Sequence, residues 1–187
     1  MSRDRDVGAF DRRASTYDDG PLGRWHQEIV SGVASIARSA RPSPARTLDV
    51  GCGTGALLSE LGGFRTGIDA APAMVRRAAA RLGPGVPVLP GYAECLPFRA
   101  GAFDLVVSSM SFDHWADQGR GLAECARVLA PGGVLVLADV CAAWLWPATL
   151  GGRARTRKKL GHLLAAAGLA ARSWHRLGPF VSVVEAG

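Results

Sequence analysis

The run Leu48-Asp49-Val50-Gly51-Cys52-Gly53-Thr54-Gly55-Ala56 decides the fold of this 187-residue chain. It passes from a strand-like segment into helix formers and places three glycines within five positions. Glycine permits a tight turn and lets a ligand approach the main chain closely. Gly51, Gly53 and Ala56 satisfy the dinucleotide pattern GxGxx(G/A), with Asp69 standing 18 residues beyond Gly51, where an acid would hold ribose hydroxyls. Asp49 points another way. A carboxylate at the carboxyl end of the strand would repel a pyrophosphate resting on the loop, but it suits a ligand that bears an ammonium and a sulfonium.

Around this loop, strand-like and helix-like runs alternate. Thr47 to Val50, Arg65 to Asp69, Val86 to Leu89, Phe103 to Ser109 and Val134 to Asp139 read as strands. Ala56 to Leu61, Pro72 to Leu82 and Arg120 to Leu129 read as the intervening helices, the second with proline in its first turn. Such alternation predicts helices crossing over a mostly parallel sheet. Before it, Leu22, Trp25, Ile29, Val33 and Ile36 recur at spacings of three and four, which predicts an amphipathic helix within a helical region from about Phe10 to Ala37. After it come a helix, roughly Arg157 to Ala167, and two strands, Ala170 to Arg176 and Phe180 to Glu185. Gly178-Pro179 joins these two tightly enough for an antiparallel hairpin at one sheet edge.

Length and composition set the bounds. With 48% hydrophobic and 20% charged residues the chain has the make-up of one globular domain. We divide it into an amino-terminal lid region (1–46), a cofactor-binding core (47–139) and a helix plus terminal hairpin (140–187). Val134 to Leu150 is interrupted by Asp139 and Pro147, too polar for a membrane span. Arg3, Asp4, Arg5 and Asp6 occupy the place where a secretory leader would be apolar, so a cytoplasmic protein is expected. Cys52, Cys95, Cys125 and Cys141 stand at irregular separations, which excludes a zinc site or a disulfide framework. The formal charge is +6. From Val140 onward Arg153, Arg155, Arg157, Lys158, Lys159, Arg172 and Arg176 face only Glu185, so this tail carries the whole excess. A solvated basic surface is the expected meaning, with nucleic-acid binding as the alternative.

The motifs resemble those of class I S-adenosylmethionine-dependent methyltransferases, nearest the group (methyltransferase type 11) that includes the ubiquinone and menaquinone biosynthesis enzymes. LDVGCGTG, Leu48 to Gly55, is similar to the family's first motif, and Gly67-Ile68-Asp69 to its second-strand acid. Ala93-Glu94-Cys95-Leu96-Pro97-Phe98 is similar to its adenine-side loop, Phe103-Asp104-Leu105-Val106 to its fourth strand, and Arg127 to Gly133 to the turn into the fifth. Upstream, Phe10-Asp11-Arg12-Arg13-Ala14-Ser15-Thr16-Tyr17-Asp18 extends the likeness. The resemblance implies an α/β fold of Rossmann-like, doubly wound type: seven strands, mostly parallel with a reversed last strand, and helices on both faces. It places the methionine end of S-adenosylmethionine against Asp49, Gly51, Cys52, Gly53 and Gly55, with Asp69 on the ribose hydroxyls. Ala70 and Met74 would flank adenine, Ala93 and Glu94 would border it, and Ser109 completes the set. One departure stands out. The family's adenine loop usually reads Gly-Asp-Ala, whereas this chain has Gly91-Tyr92-Ala93, and Tyr92 cannot accept from the adenine amino group as a carboxylate does.

Methyl transfer from a sulfonium is an in-line displacement, so the protein chiefly aligns the partners and excludes water. A base is needed only when the nucleophile must lose a proton. His114, with Asp113 in Ser111-Phe112-Asp113-His114-Trp115, follows the fourth strand at the edge where doubly wound sheets bind ligands. The other reading of His114, and the favoured one, is a structural residue beginning the next helix. Tyr17 and His26 are candidates from the lid side, each with packing as its alternative. No metal is expected. Trp144 and Trp146 would either wall an aromatic pocket or pack, in the fold or at a dimer contact. A small aromatic or apolar acceptor is expected, or a second subunit that completes the pocket. No (Asp/Asn)-Pro-Pro-(Tyr/Phe) motif follows the fourth strand, which reads Ser108-Ser109-Met110-Ser111-Phe112, and this argues against a nucleic-acid substrate. A non-catalytic cofactor-binding protein stays open as the second alternative.

Overall fold

The computed structural model describes residues 3–140 and 156–187. Helix α1 (Arg3–Arg13) passes through a 3-10 turn (Ala14–Thr16) into helix α2 (Gly20–Ala40). Strands β1 (Arg46–Val50), β2 (Phe64–Asp69), β3 (Val88–Pro90), β4 (Phe103–Ser109) and β5 (Leu129–Val140) then alternate with helices. Those helices are α3 (Ala56–Ser59), α4 (Pro72–Leu82) and α5 (Gln118–Val128). Helix α6 (Arg157–Ala166) precedes the hairpin of β6 (Ala171–Leu177) and β7 (Val181–Ala186).

One seven-stranded sheet results, in the order β3-β2-β1-β4-β5-β7-β6. Strands β1 to β5 are parallel to their neighbours, and β7 runs antiparallel to both β5 and β6, so the last strand is the reversed one. The hairpin does sit at a sheet edge, yet its second strand lies inside and its first strand outside. Composition explains the inversion. Val181, Val183, Val184 and Ala186 are all buried, whereas Ala171, Arg172 and Arg176 are exposed, and an edge strand tolerates charge that an interior one does not.

Alternation along the strands feeds two cores. Val106, Leu135, Leu137 and Val184 pack with Leu122, Cys125, Leu160 and Leu164 of α5 and α6. Leu105, Val107, Val134, Val136 and Val183 pack with Ile29, Val30, Val33 and Ala37 of α2. Strands buried on both faces read as near-continuous apolar runs, which is why β4 and β5 stand out in the sequence.

The single helical region expected from Phe10 to Ala37 is broken in two. Tyr17 to Asp19 form a bend, Gly20 has a left-handed φ of +69°, and Pro21 opens α2. Leu22, expected on the apolar stripe, is 57% exposed, and the buried stripe begins further on with Ile29 and Val30. The first turn of α2 holds the bend and leaves Leu22 outside the core. Trp144 and Trp146, with Cys141, Arg153 and Arg155, lie outside the described residues.

Candidate active site

The sheet order reverses direction between β1 and β4, and a cleft opens at the carboxyl ends of these strands, where doubly wound sheets bind ligands. It encloses about 980 Å³ including its open mouth. The glycine loop forms its floor. Gly51 N and Cys52 N both donate to Ile68 O, at 2.8 and 3.0 Å, so the loop leans over the end of β2. Gly51 (φ +76°) packs against Ser111, and a β-carbon there would run into the Ser111 hydroxyl. Gly53 (φ +53°) has open space where its β-carbon would be. Gly55 (φ +80°) does not line the cleft: it starts α3 and backs onto Ala78 and Leu82 of α4. Its smallness serves helix packing, and the sequence pattern does not separate that duty from ligand approach.

Two buried acids face this floor. Asp69 Oδ2 accepts from Gly53 N and its Oδ1 from Ala71 N, both at 2.8 Å. Burial raises its pKa against the pull of these amides. Asp49 is 1% exposed, and its Oδ1 has no hydrogen-bond partner among the described residues. Burial, and then the charge of Asp69, push its pKa up to about 8. An unpaired buried carboxylate oxygen costs free energy unless something meets it.

Cys52, Ala70, Met74 and Ala93 also line the cleft. Met74 is 1% exposed and packs with Ala14 and Ala71, so its place on the buried face of its helix and its place in the cleft are the same place. Glu94 lines the cleft as well, but its Oε1 accepts from Asp117 N at 3.0 Å, tying the 93–98 loop to the start of α5. Tyr92 is 37% exposed at the cleft rim. Ser109, at the end of β4, lines the cleft, and its Oγ is buried with no partner among the described residues. Beside it Met110 adopts a left-handed φ of 55°, held by its N–H to Ala138 O at 2.9 Å. Strain at a non-glycine residue persists only where the surroundings enforce it, and it clusters at functional sites.

The opposite wall is aromatic. Tyr17 and His26 meet edge to face with centroids 5.2 Å apart, and Phe10 meets His114 in the same way at 4.8 Å. Burial lowers the pKa of His26, partly countered by Asp18, and burial raises that of Tyr17, so both stay neutral near pH 7. His114 ends a short 3-10 turn, Phe112–His114, well before α5 begins. Asp113 lies outside the cleft and lines a shallow depression with Gln118 and Leu163.

Several residues in and around the cleft escape sequence reasoning. Trp115 Nε1 donates to Ser111 Oγ at 3.1 Å, fixing the hydroxyl that abuts Gly51. Asp139, 6% exposed, accepts from Asp113 N and Val140 N, and burial drives its pKa up to about 7. Asp11 Oδ1 accepts from Ala73 N at 2.7 Å and so caps α4 from a distant element. For Asp139 the signal is an acid near a strand end, which many surface acids share. Among the described residues no cluster of His, Cys, Asp or Glu is arranged to hold a metal ion, and no helix is long and apolar enough to cross a membrane.

The sheet order, the reversed last strand and the cleft above a glycine loop define the class I methyltransferase fold. A solved S-adenosylmethionine-dependent methyltransferase from Aquifex aeolicus superposes with a TM-score of 0.77, covering 94% of this chain and 97% of that one, at 21% identity. Residues 48–137 match the family model described as a methyltransferase domain. The chain is 36% identical over 137 residues to malonyl-[acyl-carrier protein] O-methyltransferase of Geobacter sulfurreducens, across 70% of this chain and 51% of that protein. It is 42% identical over 124 residues to demethylmenaquinone methyltransferase of Thermus thermophilus, across 62% of this chain and 54% of that one. The chain thus spans about half the length of these curated relatives.

Proposed function

We infer that this chain transfers the methyl group of S-adenosylmethionine to a small aromatic or apolar acceptor. The observation that carries the reading is the unpaired buried oxygen of Asp49, a residue that lines one cleft with Gly53 and the rings of Phe10 and Tyr17. The cofactor, when bound, supplies a methyl group on a positive sulfur. Asp49 would take its ammonium, Asp69 its ribose hydroxyls, and Ala70, Met74 and Ala93 the faces of its adenine. Phe10, Tyr17 and Trp115 exclude water from the acceptor side and stack on a planar acceptor. His26 and His114 stand at that wall to receive a proton from a phenol or an acidic carbon, and the lowered pKa of His26 keeps its ring free to accept one near neutrality.

The names of the two relatives offer a carrier-bound malonyl ester and a demethylmenaquinone as acceptor types. The acidic side chains that line the described cleft are Asp6, Asp49, Asp69 and Glu94. This acidic lining, in which Asp49 keeps its proton near pH 7, favours a neutral ring over an acceptor bearing its own carboxylate. The test has two stages. S-adenosylhomocysteine should raise the unfolding temperature and NADH should not, since a ligand of the native state stabilises it. Labelled cofactor should then methylate hydroquinones or catechols in preference to malonyl thioesters or RNA. Stabilisation by NADH alone, or methylation confined to RNA, would refute the reading.

A further inference from the structure

One acid in the bend before α2 holds three elements together. Asp18 Oδ1 accepts from the Thr54 hydroxyl at 2.9 Å, and its Oδ2 from Arg81 Nη2 at 2.6 Å and Arg77 Nη2 at 3.4 Å. Arg81 Nη1 donates to Thr54 Oγ1 at 3.0 Å, closing a ring of hydrogen bonds among the bend, the glycine loop and α4. Arg77 Nη1 adds a bond to Ser15 O at 2.8 Å. Thr54 is 2% exposed and lines the cleft, so the ring reaches the cofactor floor itself. Burial opposes ionisation of Asp18, yet Thr54 and the two guanidinium groups outweigh it and hold the carboxyl below its ordinary range.

The backbone is shaped for this contact. A β-carbon at Gly23, in the first turn of α2, would run into the Asp18 carbonyl, so the bend folds this tightly only over glycine. The segment so fastened carries Phe10, Tyr17 and His26, which form the wall facing the glycine loop. Neither Asp18 nor Arg81 lines the cleft.

We propose that Asp18 is a positioning residue that couples closure of the amino-terminal segment to occupancy of the glycine loop. The proposal rests on the cofactor reading above. Thr54 is the shared part: a ligand seated on the loop fixes it, and a fixed Thr54 holds Asp18 and the wall behind it. The coupling is reciprocal, because a segment fastened in advance presents a formed site, and apparent affinity falls with the fraction of molecules in which it is formed.

The experiment compares the whole chain with Asp18→Asn and Arg81→Gln by calorimetric titration with S-adenosylhomocysteine, and by the rate of tryptic cutting after Arg12 and Arg13 with and without it. Asp18→Asn is expected to bind about tenfold more weakly, to be cut faster when free, and to lose protection by the ligand. Arg81→Gln should move both readouts in the same direction by less, because Arg77 still reaches Asp18. Asp104→Ala, which loses the Arg46 N–H contact at the opposite end of the sheet, should lower stability and leave affinity unchanged. An Asp18→Asn protein that binds like the parent, whatever its unfolding temperature, overturns the coupling. A parent chain that does not bind S-adenosylhomocysteine overturns the cofactor reading and this proposal with it, and that result is read without any variant.

Discussion

Asp49 ties sequence, burial and chemistry together more closely than any other residue. Its pKa in the folded protein, about 8, lies above the ordinary 3.8, so the native state keeps a proton that the unfolded chain releases. The sign follows. Between these two values the native state binds more protons, and this group's contribution to stability falls as pH rises through the window. Asp49→Asn should flatten that decline, and denaturant unfolding of the ligand-free protein across pH 5 to 9 would show whether it does. A cationic ligand reverses the balance by drawing the proton off. Binding of S-adenosylhomocysteine near pH 7 should therefore release protons, seen as binding heats that change with the ionisation enthalpy of the buffer, and the Asp49→Asn substitution should abolish the dependence. Asp49 was legible because a motif carries it. Asp18 was not, since its partners Thr54, Arg77 and Arg81 come from other elements and only the fold makes them neighbours.

At the scale of elements, the loop between β1 and α3 divides its glycines among separate tasks. Each has positive φ, so an L side chain costs about 1 kcal/mol at any of them before sterics are counted. Gly51→Ala adds a clash with Ser111, and Gly55→Ala one with Ala78 and Leu82, whereas the methyl of Gly53→Ala enters open space. Alanine at Gly51 or Gly55 should therefore cost roughly 2–4 kcal/mol of stability, within the range of overpacking. Alanine at Gly53 should cost near the lower figure and act chiefly on cofactor affinity. Denaturant melts paired with titration by S-adenosylhomocysteine separate the two effects. The sequence showed the loop, its strand and its helix, because glycine spacing and apolar runs are local. It did not show the division of labour, which depends on what stands behind each glycine. The same limit applies to α2: period and composition announced a helix, but the bend at Tyr17 to Asp19 is set by the approach of Asp18 to Gly23.

Across the whole molecule, charge is segregated as the strands are. Arg157, Lys158, Lys159, Arg172 and Arg176 belong to α6 and β6, at the edge of the sheet remote in strand order from β1. Part of that charge is engaged locally: Arg157 lies over the Trp174 ring at 5.3 Å, and Arg176 donates to Pro179 O at 3.1 Å. The cleft, by contrast, is lined by carboxyl groups among its described residues. A polyanion drawn to the basic edge would thus be repelled from the site of chemistry. Interactions between exposed charges are screened beyond about 8 Å at physiological salt, so the edge cannot hold nucleic acid by its field alone. RNA should associate at about 50 mM salt and dissociate by about 200 mM, with a shallow dependence that reflects few phosphate contacts. An electrophoretic shift series with mixed RNA, run beside an assay for incorporated methyl label, decides the matter. Retention at the higher salt together with label in the RNA would show the basic edge to be a substrate-binding surface; release without label would leave it as the outer rim of a sheet whose chemistry lies at β1 and β4.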